Sequence, residues 1–91
     1  MERIHLIVTG QVQGVLFRSE SASVARKLGL TGWVRNRLDG SVEIVAEGPK
    51  ESLEDLAAFS KSGPEFSQVE KVDVVWEKPT GEFPSFEIKV S

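Results

Sequence analysis

Cysteine is absent from this 91-residue chain, and histidine occurs once, as His5. The first absence removes disulfides, thiolate metal sites and a cysteine nucleophile together. It fits a reducing compartment, and a cytoplasmic location is expected. The second leaves no His/Asp/Glu cluster at metal-ligand spacing and no serine with a histidine partner. No metal and no cofactor are therefore expected. No apolar run approaches the ~20 residues of a membrane helix. No N-terminal segment joins a basic start to a long apolar stretch, as a secretory signal does. Neither membrane association nor export by a cleaved signal is expected. A basic excess is missing as well: 11 Lys+Arg against 14 Asp+Glu give a net charge of −3. That balance disfavours general binding to nucleic-acid phosphates. Low-complexity segments and short tandem repeats are also lacking.

What is present is an ordinary globular mixture, 40% hydrophobic and 27% charged, in a length that predicts one domain over residues 1–91. Alternation around Ile4, Leu6 and Val8 predicts a strand over Arg3 to Thr9. Ser21, Val24, Ala25 and Leu28 fall at helical spacing and predict a helix over Ser19 to Leu28, closed by Gly29. A second strand is expected over Thr31 to Arg37 and a third over Ser41 to Glu47, joined as a hairpin by Asp39-Gly40. Pro49 is expected in the first turn of a second helix, whose inner stripe is Leu53, Leu56, Ala57 and Ser60. Gly63-Pro64 ends that helix. Val69 to Glu77 reads as a fourth strand, with Val72, Val74 and Trp76 on one face. Phe86, Ile88 and Val90 mark a short last strand.

The order β-α-β-β-α-β, plus that terminal strand, predicts an α+β ferredoxin-like sandwich: an antiparallel sheet with two helices on one face. Such a fold carries many functions. Chemistry must come from a particular place, and one stretch stands out. "GQVQGVLFR", Gly10 to Arg18, joins the first strand to the first helix with two glycines, no acid and an arginine at its far end. Free N–H groups at a helix start carry partial positive charge. Gly14 permits a conformation closed to other residues. The amides from Gln13 to Arg18 can then curl around one anion, and the guanidinium of Arg18 matches phosphate oxygens. A nucleotide P-loop is excluded, because its Gly-Lys-Ser/Thr ending is missing. On these residues alone, a turn that uses glycine only for geometry, with a solvated arginine, is the readier reading.

"VTGQVQGVLFR" (Val8–Arg18) followed by "GLTGWVRNRLDGSVEIVAEG" (Gly29–Gly48) closely resembles the acylphosphatases. The pattern Gly-x-Val-Gln-Gly-Val-x-Phe-Arg stands at Gly10 to Arg18. Gly-Trp-Val-x-Asn stands at Gly32 to Asn36, and Asp-Gly-x-Val at Asp39 to Val42. Leu16 sits where the family often has a smaller residue, and Leu38 where proline is common. The resemblance implies a metal-free hydrolase that cleaves carboxyl-phosphate anhydrides to a carboxylate and inorganic phosphate. It implies that phosphate is held by Gln13, Gly14, Val15, Leu16, Phe17 and Arg18, and that Asn36 positions the attacking water. Alternation in the second strand is compatible with this, since Asn36 shares a face with Gly32 and Val34. Read without the resemblance, Asn36 is as well explained by the turn that follows it. An acyl phosphate is already activated, so positioning and charge stabilisation suffice and no strong protein base is needed. The expected partners are a small acyl phosphate and its phosphate product, with no nucleic acid and no membrane, and the expected state is a monomer.

Other residues read blandly. His5 is expected on the open sheet face, away from the loop. Arg35 and Arg37 are expected as solvated charges, with anion steering as the second reading, and Trp33 is left between shaping the site and covering the open face. The alternative function is a non-enzymatic anion or carbamoyl-phosphate-binding domain of a larger protein; a chain starting at Met1 argues mildly for a free enzyme. An RNA-binding use of the same sandwich needs exposed aromatics on the central strands, and "SVEIVAEG" has none. A metal-handling domain of this fold needs cysteines.

Overall fold

The alternation read along the first strand becomes one wall of the core. In the computed structural model, which describes residues 1–14, 16–65 and 67–90, β1 (Glu2–Gln11) lies inside a five-stranded sheet. Its Ile4, Leu6 and Val8 are fully buried. They stand opposite Ala46, Ile44 and Val42 of β3 (Val42–Gly48), which are buried with them. β2 (Thr31–Asn36) continues the same face through Val34, paired with Ile44. Two helices, α1 (Phe17–Lys27) and α2 (Lys50–Ser62), cover that face. The inner stripe of α2 is the expected one: Leu53, Leu56, Ala57 and Ser60 are all buried.

The strand order is β4-β1-β3-β2-β5, with β4 spanning Gln68–Glu77 and β5 spanning Phe86–Lys89. The sheet is the antiparallel βαββαβ sandwich over its first four strands. The terminal strand departs from that rule, because β5 joins the far edge parallel to β2, making the sheet mixed. Residues 78–85 carry the chain from one edge to the other. Glu47 tethers this crossing: its buried carboxylate accepts hydrogen bonds from the Thr80 and Gly81 N–H groups at 2.8 and 2.9 Å and pairs with Arg3 at 3.3 Å. Burial pushes the Glu47 carboxyl up, but these donors outweigh it and hold the group below the usual carboxylate range.

Helix boundaries shift from the periodicity for local reasons. α1 begins at Phe17, not Ser19, because Phe17 is drawn into the core. This rotates the buried stripe to Phe17, Ser21, Ala22 and Ala25, and leaves Val24 and Leu28 at its margin. Gly29 closes the helix as expected, its N–H donating to Arg26 O while that of Leu30 donates to Ala25 O. Pro49 has extended ψ of 142° and sits just outside α2 as its N-cap, one residue earlier than expected. Val72, Val74 and Trp76 do share the helix face of β4, through pairing with Val8, Leu6 and Ile4. Their place on an edge strand leaves Trp76 42% exposed.

Candidate active site

β1 is antiparallel to β3, β3 to β2, and β2 is parallel to β5. The C-terminal ends of β1, β2 and β5 therefore point the same way. They meet at the N-terminus of α1, and the two sequence motifs are brought to one place there.

The two glycines of the loop have different tasks. At Gly10 the register against β4 shifts, and a Cβ would collide with the carbonyl oxygen of Gln68. At Gly14 there is open space, but φ is +74°, a backbone conformation that favours glycine. Leu16 has φ 64° and ψ 17°, and among the described residues it is the sole non-glycine with positive φ. A leucine in this region costs on the order of 1 kcal/mol. Such strain concentrates at functional turns. Left-handed residues placed beside helical ones can turn successive N–H groups to one side, the backbone pattern from which anion-binding hollows are built. Val15, between them, lies outside the described residues.

Leu16 is also the N-cap of α1 and gives it no side-chain hydrogen bond. The N–H groups of the first turn are thus without an intrahelical partner and aim at the loop. Phe17 pins this start. It is 1% exposed, and its ring lies 6.2 Å from that of Phe59. Arg18, one residue on, turns the other way and lines the cleft. Its Nη1 donates to the Lys89 carbonyl of β5 at 3.2 Å.

A cleft of about 350 Å³ gathers these groups. Gly14, Leu16, Phe17 and Arg18 line it together with Asn36, while Val12, Ser19, Ile88 and Val90 complete the wall. Asn36 is the last residue of β2, in register with Val42. Its Oδ1 is buried and has no hydrogen-bond partner among the described residues. An unsatisfied buried amide oxygen is costly in a folded protein, by roughly 1–3 kcal/mol; the other such atom among the described residues is Ser21 Oγ. A larger hollow of about 580 Å³ adjoins the first through Asn36, which lines both, and is walled by Arg35, Arg37, Leu38 and Asp39.

The remaining candidates separate from the cleft. Gln13 does not line it: its Nε2 donates to Arg37 O at 2.7 Å and Ser41 O at 2.9 Å, across the β2–β3 hairpin. His5 lies on the open sheet face, with Nε2 2.6 Å from Glu43 Oε2. Arg35 is held by the same carboxylate, Nε to Oε1 at 2.7 Å. Burial pushes the Glu43 carboxyl up, but its bonds to His5 and Arg35 prevail and hold it low. Trp33 covers the open face, with the Arg35 guanidinium 5.2 Å and the Lys89 ammonium 4.7 Å from its ring. Arg37 is exposed at the hairpin. Sequence reasoning missed Ile88, Val90 and the Lys89 carbonyl, and no local signal pointed to them, because only the parallel pairing of β5 puts them at the site. Among the described residues, no group of three or more His, Cys, Asp or Glu side chains could hold a metal ion. Neither of the described helices is long and apolar enough to cross a membrane.

Comparison with known proteins gives concordant results. A family profile described as acylphosphatase matches residues 4–88. An acylphosphatase of Roseiflexus sp. (strain RS-1) is 48% identical over 88 residues, covering 97% of this chain and 95% of that one. The crystal structure of acylphosphatase from Bacillus subtilis superposes with a TM-score of 0.94 at 40% identity, covering 98% of this chain and 99% of that one. A full-length HypF, crystallised in a phosphate- and nucleotide-bound form, matches with a TM-score of 0.85 at 25% identity. That match spans 97% of this chain but 12% of the larger protein.

Proposed function

Since this chain belongs to the acylphosphatase family and is an enzyme that hydrolyses acyl phosphates, we propose that its reaction is divided between an anion cradle and one water-holding amide. The backbone N–H groups of the loop residues that line the cleft, from Gly14 to Arg18, with the guanidinium of Arg18, hold the phosphoryl group. Asn36 holds the water. The observation that carries this reading is the buried, unpartnered Oδ1 of Asn36 in the same cleft as Arg18 and the loop. That oxygen accepts one O–H of the water and turns its lone pair toward phosphorus, with no change in its own protonation.

The water oxygen then bonds to phosphorus as the bond from phosphorus to the acyl oxygen breaks. The electron pair of that bond leaves with the carboxylate. A phosphoryl oxygen takes the water's proton, and inorganic phosphate remains in the cradle. Charge on the equatorial oxygens is met by donors already in place, so little reorganisation is needed. Both halves of the site come from one chain, which supports action as a monomer. The reaction needs no metal ion in this scheme, and the lack of cysteine supports a cytoplasmic setting. Family membership stands against the non-enzymatic anion-binding alternative.

Steady-state turnover of benzoyl phosphate in excess EDTA tests the scheme. The wild-type chain should be fully active, simple phosphate esters should be nearly untouched, and Asn36→Ala should lower kcat by roughly 10²-fold, the scale for one preorganised polar group. Activity that vanishes on chelation and returns with a metal would refute it.

A further inference from the structure

Gln13 stands inside the phosphate-loop motif, yet its side chain leaves the cleft. Both hydrogens of its amide are used on another element. Nε2 donates to Arg37 O at 2.7 Å and Ser41 O at 2.9 Å. These carbonyls sit on opposite sides of the base of the β2–β3 hairpin. They already accept from the hairpin itself: Arg37 N donates to Ser41 O at 2.8 Å, and Gly40 N to Arg37 O at 3.2 Å. The amide of Gln13 therefore closes a small lattice that spans both arms of the hairpin. Asn36 directly precedes Arg37 and forms the last pair of the ladder, with Val42.

The sheet links the two sides only as far as Val42, which pairs with Val8 of β1 and with Asn36 of β2. Beyond that pair the loop is steered by α1 and Phe17, and the hairpin by β3. The Gln13 amide ties the loop side of the cleft directly to the residue next to Asn36. We infer that Gln13 is a positioning residue, whose side chain sets the distance between the phosphate cradle and the oxygen of Asn36. The inference rests on the roles proposed above for the loop and Asn36. In-line attack depends on that distance, and a displacement of about 1 Å costs on the order of 10²-fold. Binding of phosphate depends on backbone amides and Arg18, which Gln13 does not touch through its side chain. Loss of the brace should thus appear in kcat and spare phosphate affinity.

The experiment is a double-mutant cycle on benzoyl phosphate turnover, with competitive inhibition by inorganic phosphate measured on each protein. The variants are Gln13→Ala, the similarly sized donor-free Gln13→Met, Asn36→Ala, and each Gln13 change combined with Asn36→Ala. Both Gln13 variants should lose roughly 10- to 100-fold in kcat, while the phosphate inhibition constant stays within about threefold. In the Asn36→Ala background the same changes should cost almost nothing, because residues acting as a unit are not additive. Unchanged kcat in the single variants would overturn the inference. So would equal further losses in the Asn36→Ala background, or phosphate affinity falling in step with kcat. Failure of Gln13→Met to fold would also overturn it, by making Gln13 a residue of the fold. Full activity in Asn36→Ala alone would instead refute the role of Asn36, and the two failures are therefore distinguishable.

Discussion

Arg18→Ala separates holding phosphate from hydrolysing it. Inorganic phosphate is the product and should occupy the cradle of the free enzyme. A ligand that binds only the folded state stabilises it by RT ln(1 + [L]/Kd), or about 2.7 kcal/mol at 100 times Kd. A domain of this size gains about 4–8 °C in Tm per kcal/mol, so the shift should be roughly 10–20 °C. Hydrogen bonds to charged groups contribute about 1.5–3 kcal/mol each, so removing the guanidinium should weaken phosphate binding by roughly 10- to 150-fold. At the same phosphate concentration the stabilisation then falls to about 0.3–1.4 kcal/mol, or a shift of roughly 1–10 °C. The unliganded variant should also melt several degrees lower, because the bond from Arg18 to the Lys89 carbonyl at the sheet edge is lost. Arg18→Lys keeps the charge without the fork and should fall between the two. Asn36→Ala should keep the whole shift while losing turnover. The assay is thermal unfolding of the four proteins in phosphate, set against sodium chloride of equal ionic strength to remove screening effects. An undiminished phosphate-specific shift in Arg18→Ala would place the anion elsewhere and refute the reading of the loop.

Other outcomes follow from the same contacts. His5→Gln should leave kcat within about twofold, because His5 engages Glu43 through its ring nitrogen across the open face; a dead His5 variant in the benzoyl phosphate assay would reverse the assignment. Glu47→Gln sets an amide donor against the N–H of Thr80 or Gly81 and should cost roughly 1–3 kcal/mol in urea unfolding. The lowered pKa of Glu47 also fixes a sign. Its contribution to stability is complete above the carboxyl's unfolded value, near pH ~4, and is lost as pH falls through the lower folded value. Wild-type stability should therefore decline on that acid side more steeply than that of Glu47→Gln, and parallel pH profiles would refute the tether. Leu16→Val places a β-branched residue at a φ of 64° and should destabilise the fold by on the order of 1 kcal/mol with weaker phosphate inhibition, whereas Leu16→Gly should bind phosphate as the wild type does.

Local chemistry makes much of this protein legible in its sequence alone. Period-two alternation of Ile4, Leu6 and Val8 and the stripe Leu53, Leu56, Ala57 and Ser60 each report a face turned to a core, and faces follow from backbone geometry alone. Asp39-Gly40 and Gly63-Pro64 act through the dihedral angles of one or two residues, so their turns are readable too. The loop amides are only half legible: a glycine, a helix start and an arginine lie within a few residues of one another, but those residues serve a purely geometric turn as well. What tertiary structure decides is everything that depends on distant strands becoming neighbours. Parallel pairing of Gly32–Arg35 with Phe86–Lys89 brings Ile88, Val90 and the Lys89 carbonyl to Arg18. No periodicity encodes that choice of edge. The side chain of Gln13 has two hydrogens to donate, but that they reach Arg37 and Ser41 depends on how a loop and a hairpin pack. Alternation sets Trp33 opposite Val34 and Asn36 without saying whether it shapes the site or covers the open face, and the cations of Arg35 and Lys89 beside its ring show that it covers the open face. Hydrogen bonds between residues far apart in sequence form only after the sheet has chosen its order, and for that reason the brace and the C-terminal wall of the site belong to the fold.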